Sequence, residues 1–398
     1  MVVIVSARRT AIGRYGGALA ECKPEDLLAV VMKNALSTAG CSSSIVDEVI
    51  AGQTKQSAEA PNIARVAALK AGFPETVIGH TVQTQCGSGL QAVINGAMSI
   101  RTGQSELILA GGVECMSQAP FYFTGNRMGI KPGDLTLYDS NTRSQPCSQP
   151  QDMYGSFSMG QTAEWLAEKF SISRAEQDEF ALCSQDKAFK AIESGRFAEE
   201  IVPVIVPKGK RESERFAVDE HPRKTSLEKL SQLAPAFTSG GTVTAGNASG
   251  RNDGAAALLM MSEEKARNLG LTPLAKIRSW AGAGVSPKEM GLGPVPAAEK
   301  ALIKAGLKMN DIDLVEINEA FSAQVLACLR HWPELDRNKI NVNGGGIALG
   351  HPLGCSGARI LVTLIHELHK TKLTYGLAAL CAAGGLGIAM VVERWKEE

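Results

Sequence analysis

At 398 residues the chain is long enough for two or three domains and for a large core that needs no disulfide or metal staple. Its 41 Lys and Arg balance its 41 Asp and Glu, so no net charge recommends a nucleic-acid or membrane-surface partner. The nine cysteines are odd in number, scattered and without a C-x-x-C pair, which argues against a secreted disulfide framework and a zinc ribbon and suits a reducing compartment.

The chain opens on an apolar run at 2–5 followed by Arg8 and Arg9, too short for a signal peptide. Short apolar or β-branched runs predict strands at 46–51, 107–110, 314–317, 340–342, 377–380 and 388–392. Helical spacing of apolar residues predicts helices over 90–100, 164–170, 174–192, 298–305 and 358–369. Such alternation implies an α/β fold. Between about 118 and 244 the strand pattern thins. Residues 139–152 are rich in Ser, Gln, Asn and Pro and read as loop, and 208–229 are densely charged and read as solvated surface. The uncharged stretch 373–392 is long enough to span a bilayer. Its Gly376, Gly384, Gly385 and Gly387 instead make it a strand, a turn and a second strand in a core. The tail, Trp395-Lys396-Glu397-Glu398, is no peroxisomal or retention signal.

The sequence also repeats itself. Residues 35–49 echo 301–315, Cys86-Gly87-Ser88 is echoed by Cys355-Ser356-Gly357 before a second helix, and Ala110-Gly111-Gly112 is echoed by Ala383-Gly384-Gly385. Two similar halves packed face to face, with the site between them, account for this order.

Several residues stand where chemistry is done. Cys86 lies between a predicted strand and a predicted helix, where backbone N–H groups and the helix dipole favour a thiolate. Cys355 has nearly the same setting, so local sequence does not choose between them. His351 is pinned by Pro352 in a Gly-dense turn, expected between a strand and a helix, and fits a general base beside a cysteine. Cys381 ends a buried strand before Gly384 and Gly385. Asn318 and Glu319 follow another, where a helix cap is the plainer role. Gly344-x-Gly346-x-x-x-Gly350 only weakly suggests a dinucleotide loop, with no acidic partner suitably placed. His366 and His369 share a helix without a third ligand, so a metal is not expected.

Taken in order, seven motifs resemble the thiolase family: Cys86-Gly87-Ser88-Gly89; Gly111-Gly112-Val113-Glu114 with Met116-Ser117; Met159-Gly160 with Thr162 and Glu164; Gly246 to Gly254 around Ser249; Asn318-Glu319-Ala320-Phe321; Gly350-His351-Pro352 with Gly354 and Ser356-Gly357; and Cys381 with Gly384-Gly385. The resemblance covers essentially the whole chain. It implies a five-layer α-β-α-β-α fold of two similar halves with an inserted loop domain. The N-terminal half would be 1–117 with 248–270, the insertion 118–247 and the C-terminal half 271–398. The implied activity is ping-pong acyl transfer between CoA and 3-ketoacyl-CoA, cleavage or the reverse Claisen condensation, by an acetyl-CoA acetyltransferase or a longer-chain 3-ketoacyl-CoA thiolase.

Carried over residue by residue, the resemblance makes Cys86 the acyl-carrying nucleophile and His351 its base. Cys381 becomes the second proton carrier, and Asn318 the holder of a water at the enolate oxygen. The backbone N–H groups of Cys86 and Ala383 become the oxyanion hole. Two thiols suit these roles because either can shift toward neutrality where the site has positive potential. Ser249, Arg223, Phe237, Met159, Met290 and Phe321 match positions that bind CoA and its acyl group. No metal and no cofactor beyond the CoA substrates is implied. Cytoplasmic location and a homodimer or homotetramer are implied, the latter by Arg127-x-Gly129-x-Lys131-x-Gly133-Asp134. No nucleic-acid or membrane partner is.

The sequence departs from the family pattern at three places. Ala383 stands for a glycine and would be strained at positive φ. Ser158 stands where short-chain members often have His. Cys355 stands for a small residue. A ketoacyl-synthase-like enzyme is the nearest rival, but it pairs its nucleophile with two histidines. A non-catalytic acyl-CoA-binding subunit has only Ala383 in its favour.

Overall fold

The computed structural model describes residues 1–208 and 212–396. Residues 209–211 of the charged stretch and the last two of the tail lie outside the described residues. The chain begins with β1 (Val2–Thr10), α1 (Pro24–Thr38), β2 (Glu48–Gly52), α2 (Ile63–Lys70), β3 (Ile78–Val82), α3 (Ser88–Arg101) and β4 (Leu107–Cys115). It then leaves the central sheet, apart from a short pairing of Ile201–Val202 with β1, and forms α4 (Met159–Lys169) and α5 (Arg174–Glu193). It returns as β5 (Asn252–Ser262). The second half is β6 (Ala275–Gly284), α6 (Pro294–Ala305), β7 (Leu314–Ile317), α7 (Ser322–His331), α8 (Leu353–Thr371), β8 (Tyr375–Ala382) and β9 (Leu386–Arg394).

Among the described residues these strands join one eleven-stranded sheet in the order β7-β8-β9-β6-β1-β5-β4-β2-β3, completed by two two-residue strands. The order is symmetric about the β6–β1 junction: β6, β9, β8 and β7 answer to β1, β5, β4 and β2. That junction is short, with only Val3 and Ile4 facing Lys276 and Ala275. Each half contains parallel pairs, β2 with β3 and β4, and β7 with β8. The repeat in the sequence is thus a repeat in the fold.

Strand periodicity sets the layers, because successive side chains point to opposite faces. Ile108 and Ala110 of β4 and Ala378 and Leu380 of β8 share one core with α3 and α8. Leu107 and Leu109 turn outward onto α1 and α2. Leu377 and Ala379 turn outward onto α6 and α7. Helices, half-sheet, α3 and α8, half-sheet, helices: the five expected layers are present. The uncharged stretch 373–392 is the hairpin β8–β9, and no helix among the described residues is long and apolar enough to cross a membrane.

Two expectations shift. The helices expected from 164 and 358 begin earlier, at Met159 and Leu353, since Ser158 and Gln161 form a capping box and Pro352 starts the second. The strand expected at 340–342 is reduced to one bridge between Ile340 and Val315. Asn341 stops it: at φ +43 its side chain takes the place of a neighbouring strand, accepting from Ile317 N–H and donating to Ile317 C=O, both at 2.9 Å.

Candidate active site

The carboxyl ends of the parallel strands open on one cleft of about 200 Å³, the usual place for a site in such sheets. Cys86 lies in the turn between β3 and α3, one residue before the N-cap Gly87. Gln85 before it stands at φ +53, a left-handed conformation costly for a residue with a side chain. The turn is held by Gln85 N–H donating to Gln83 Oε1 (2.8 Å) and Ser88 Oγ donating to Gln85 C=O (2.6 Å).

His351 follows a short helical turn, Gly346–Leu349, rather than the expected strand. Gly350 before it has φ +103, and a Cβ there would strike Asn252. Asn252 Oδ1 accepts the His351 backbone N–H at 2.9 Å. His351 Nδ1 lies 2.6 Å from Ser356 Oγ, whose own O–H donates to Pro352 C=O at 2.9 Å. This chain assigns the ring proton to Nδ1 and leaves Nε2 bare as a base. Asn318 does not line the cleft. It is fully buried beside His351, its Nδ2 3.4 Å from Nε2, and its Oδ1 has no hydrogen-bond partner among the described residues.

Cys381, near the end of β8, is buried at the same cleft. Ala383 lies in the turn that follows and is free of the feared strain. It is not among the positive-φ residues; Gly384 (φ +86) and Gly385 (φ +85) take that burden.

Burial pushes the Cys86 thiol up to about 11, although the backbone N–H groups of Ala383 and Cys86 and the charge of Lys55 favour its thiolate. Cys86 keeps some surface open to the cleft, yet its sulfur is crowded enough to be desolvated. Burial and the neighbouring Cys86 raise Cys381 well above the usual thiol range. Burial, then the charge of Arg359, holds His351 down at about 3. Neither thiol is shifted toward neutrality, because desolvation outweighs the local donors. The resting pair is a thiol beside a neutral imidazole.

Met159, Phe237, Met290 and Phe321 form an apolar wall with Cys381, with the Phe237 and Phe321 rings edge to face at 5.8 Å. Ser249 lines the same cleft. Arg223 does not: it is exposed, and its guanidinium donates to Ala245 C=O at 3.2 Å. Cys355, unlike Cys86, falls inside a helix, since Pro352 starts α8 before it. It is fully buried in the central core, burial raises its thiol to about 12, and unlike Cys86 and Cys381 it does not line the cleft, so it is packing. His366 and His369 each donate through Nε2, to the backbone oxygens of Ala7 and Leu274 respectively. No His, Cys, Asp or Glu group among the described residues is arranged to hold a metal.

Comparison with known proteins matches residues 2–264 to the thiolase N-terminal domain and 271–394 to the thiolase C-terminal domain. The chain belongs to the thiolase family. It is 50% identical over 396 residues to the acetyl-CoA acetyltransferase of Cupriavidus necator, covering 99% of each chain. The crystal structure of the Bacillus anthracis acetyl-CoA acetyltransferase superposes with a TM-score of 0.95 at 48% identity, covering 99% of this chain and 98% of that one. Human mitochondrial 3-ketoacyl-CoA thiolase in complex with CoA superposes at 0.93 with 43% identity, covering 99% and 98%. The chain is thus an acyltransferase.

In this thiolase Glu114, fully buried near the end of β4, ties together elements that flank the site. Its carboxylate accepts from Thr54 Oγ1, from the backbone N–H groups of Thr54 and Lys55 (3.0 Å each) and from Gly354 N–H (2.9 Å), tying β2 to the start of α8. Glu319 is no helix cap. It accepts from Ser184 and Asn341, both at 2.7 Å, and holds the Gly-dense turn through Ile347 N–H. Sequence reading missed Lys55, Gln85 and Arg251 as cleft residues. Lys55 had a usable signal: it lies three positions beyond the end of a buried parallel strand.

Proposed function

We propose that this cleft transfers acyl groups between CoA and 3-oxoacyl-CoA by a ping-pong route, with acetoacetyl-CoA as a substrate. One observation carries the reading: two thiols and a bare imidazole nitrogen meet where two backbone N–H groups point at the sulfur of Cys86. His351 Nε2 takes the proton of Cys86, whose sulfur attacks the 3-keto carbon. The Cys86 and Ala383 N–H groups hold the oxyanion. The C2–C3 bond then breaks, and the Cys381 thiol protonates the departing acetyl-CoA enolate. Asn318, through a water on its unpartnered oxygen, and His351 steady that enolate. CoA resolves the acyl-enzyme, its thiol proton returning to Cys381. Condensation is the reverse.

Ser249 and the apolar wall would hold the pantetheine arm, and Arg223 would meet the nucleotide end at the surface. The scheme calls for no metal or further cofactor. Residues 118–247 would act as a cover inserted in the N-terminal half (1–117 with 248–270), facing the C-terminal half, 271–398. The names of the similar acetyl-CoA acetyltransferases support acetyl transfer. Exposed Met128, Ile130, Leu135 and Leu137 support self-association as a dimer or tetramer, and nine free thiols suit the cytoplasm. The test is loss of 3-ketoacyl-CoA absorbance on adding CoA to acetoacetyl-CoA. Cys86→Ala is expected to abolish it. Full activity in that variant, or none in the wild type, overturns the reading.

A further inference from the structure

The cleft also has a polar lining. Lys55, Gln85, Ser144, Gln145, Ser148 and Arg251 line it. It adjoins the nucleophile on two sides. Gln85, which precedes Cys86, donates through Nε2 to Ser148 Oγ at 3.3 Å, and the Ser148 carbonyl lies 2.7 Å from where a Gly384 Cβ would stand. An acyl group carried on the Cys86 sulfur therefore lies against this wall.

Lys55 is the unusual member. Its side chain is buried, yet among the described residues it forms no ion pair with a carboxylate. Its ammonium donates to Ser140 C=O (3.3 Å) and to Ser144 Oγ, both neutral, leaving one of three N–H groups for the cleft. Glu114, the nearest buried carboxylate, is occupied by its four donors. A second cation, Arg251, shares the wall, with Asp139 3.5 Å from it. Glu114 and Asp139 act on its charge from a distance, but no carboxylate among the described residues is in contact with it, a costly state for a buried ammonium that a pure hydrocarbon acyl chain would not relieve.

We propose that Lys55, with Arg251, recognises a carboxylate at the far end of the acyl group, so that this thiolase takes 3-oxoacyl-CoA substrates derived from dicarboxylic acids as well as acetoacetyl-CoA. The inference rests on the acyl-transfer reading above. A carboxylate on the acyl chain supplies the contacting negative charge that Glu114 and Asp139 do not, and accepts the free N–H.

The experiment measures CoA-dependent thiolysis with two matched pairs: 3-oxoadipyl-CoA against 3-oxohexanoyl-CoA, and 3-oxosuberyl-CoA against 3-oxooctanoyl-CoA. Within a pair only a methyl and a carboxylate terminus differ. The expected result is a kcat/KM ratio favouring the carboxylate about ten- to a hundredfold in at least one pair, the worth of one charge-assisted hydrogen bond. Lys55→Met should erase that ratio and Lys55→Arg should keep it. The ratio is insensitive to partial misfolding, which lowers both members alike. A wild type that prefers neither carboxylate, or a Lys55→Met enzyme with an unchanged ratio, overturns the inference. Acetoacetyl-CoA thiolysis in the same assays tells the two failures apart: its presence leaves the acyl-transfer reading standing, and inactivity with every thioester removes both.

Discussion

In the proposed scheme His351 can serve as a base because it is held neutral. Its Nδ1 proton is committed to Ser356, and burial with the charge of Arg359 holds its pKa at about 3. An exposed imidazole, near 6.5, would be half protonated close to neutrality and lose its lone pair as the pH fell. Here protonation waits until the pH approaches 3, so kcat/KM for acetoacetyl-CoA is expected to stay level between about pH 6 and 8, with no acid limb at the imidazole value. His351→Gln is expected to lower kcat by about 10²–10⁴, the usual worth of a positioned base. A pH–rate profile of the wild type checks the first point, and an acid limb near 6.5 would contradict it. That Cys86, Cys381 and His351 meet at one cleft was foreseeable only through the family resemblance, since local sequence did not separate Cys86 from Cys355. The direction of their pKa shifts was not, since desolvation is set by atoms brought from both halves of the chain. Lys55 and Arg251 were missed for the same reason: they reach the cleft from strand ends remote from Cys86.

Elements place these groups through close approach of backbones. Gly89, in the first turn of α3, faces the start of α8, and a Cβ there would lie 2.7 Å from Gly354 C=O and 2.9 Å from Ala358 N. Both obstacles are backbone atoms of the first two turns of α8, the helix that follows His351. Replacing glycine by alanine inside a helix ordinarily stabilises by about 1 kcal/mol. At Gly89 the sign is expected to reverse, with a net loss of about 1–3 kcal/mol from overpacking. The readout is a lower thermal midpoint for Gly89→Ala, accompanied by a fall in kcat, since the two helix starts that hold Cys86 and His351 are pushed apart; a higher midpoint would refute the crossing as described. The layer order was foreseeable from strand alternation and the internal repeat. What sequence could not reveal was the ending of the strand at 340–342, because Asn341 acts through hydrogen bonds to β7, more than twenty residues away.

The whole molecule is joined by a buried ionic network rather than by apolar packing alone. Arg9 of β1 donates to Glu200 Oε1 (2.6 Å) and to both oxygens of Asp219 (2.7 and 2.9 Å). Arg196 donates to Glu200 Oε2 at 3.1 Å and to Glu367 of α8, while Thr363 of α8 also donates to Glu200 at 3.0 Å. Glu200 thus links β1, the segment between β4 and β5, and the central helix of the second half. Burial alone would raise its carboxyl, but the guanidinium groups of Arg9 and Arg196 prevail and hold it at about 2. Its folded pKa is therefore below the 4.5 of a free glutamate, so its stabilising contribution is complete above that value and fades as the pH falls toward 2. Glu200→Gln leaves two buried guanidinium groups short of charge and is expected to cost about 3–5 kcal/mol at pH 7. The gap between wild type and variant should narrow as the pH drops below about 4.5, as linkage requires. Urea unfolding of both proteins at pH 7 and at pH 3.5 measures it, and a gap that stays constant would mean that Glu200 acts through shape and hydrogen bonding rather than through its charge.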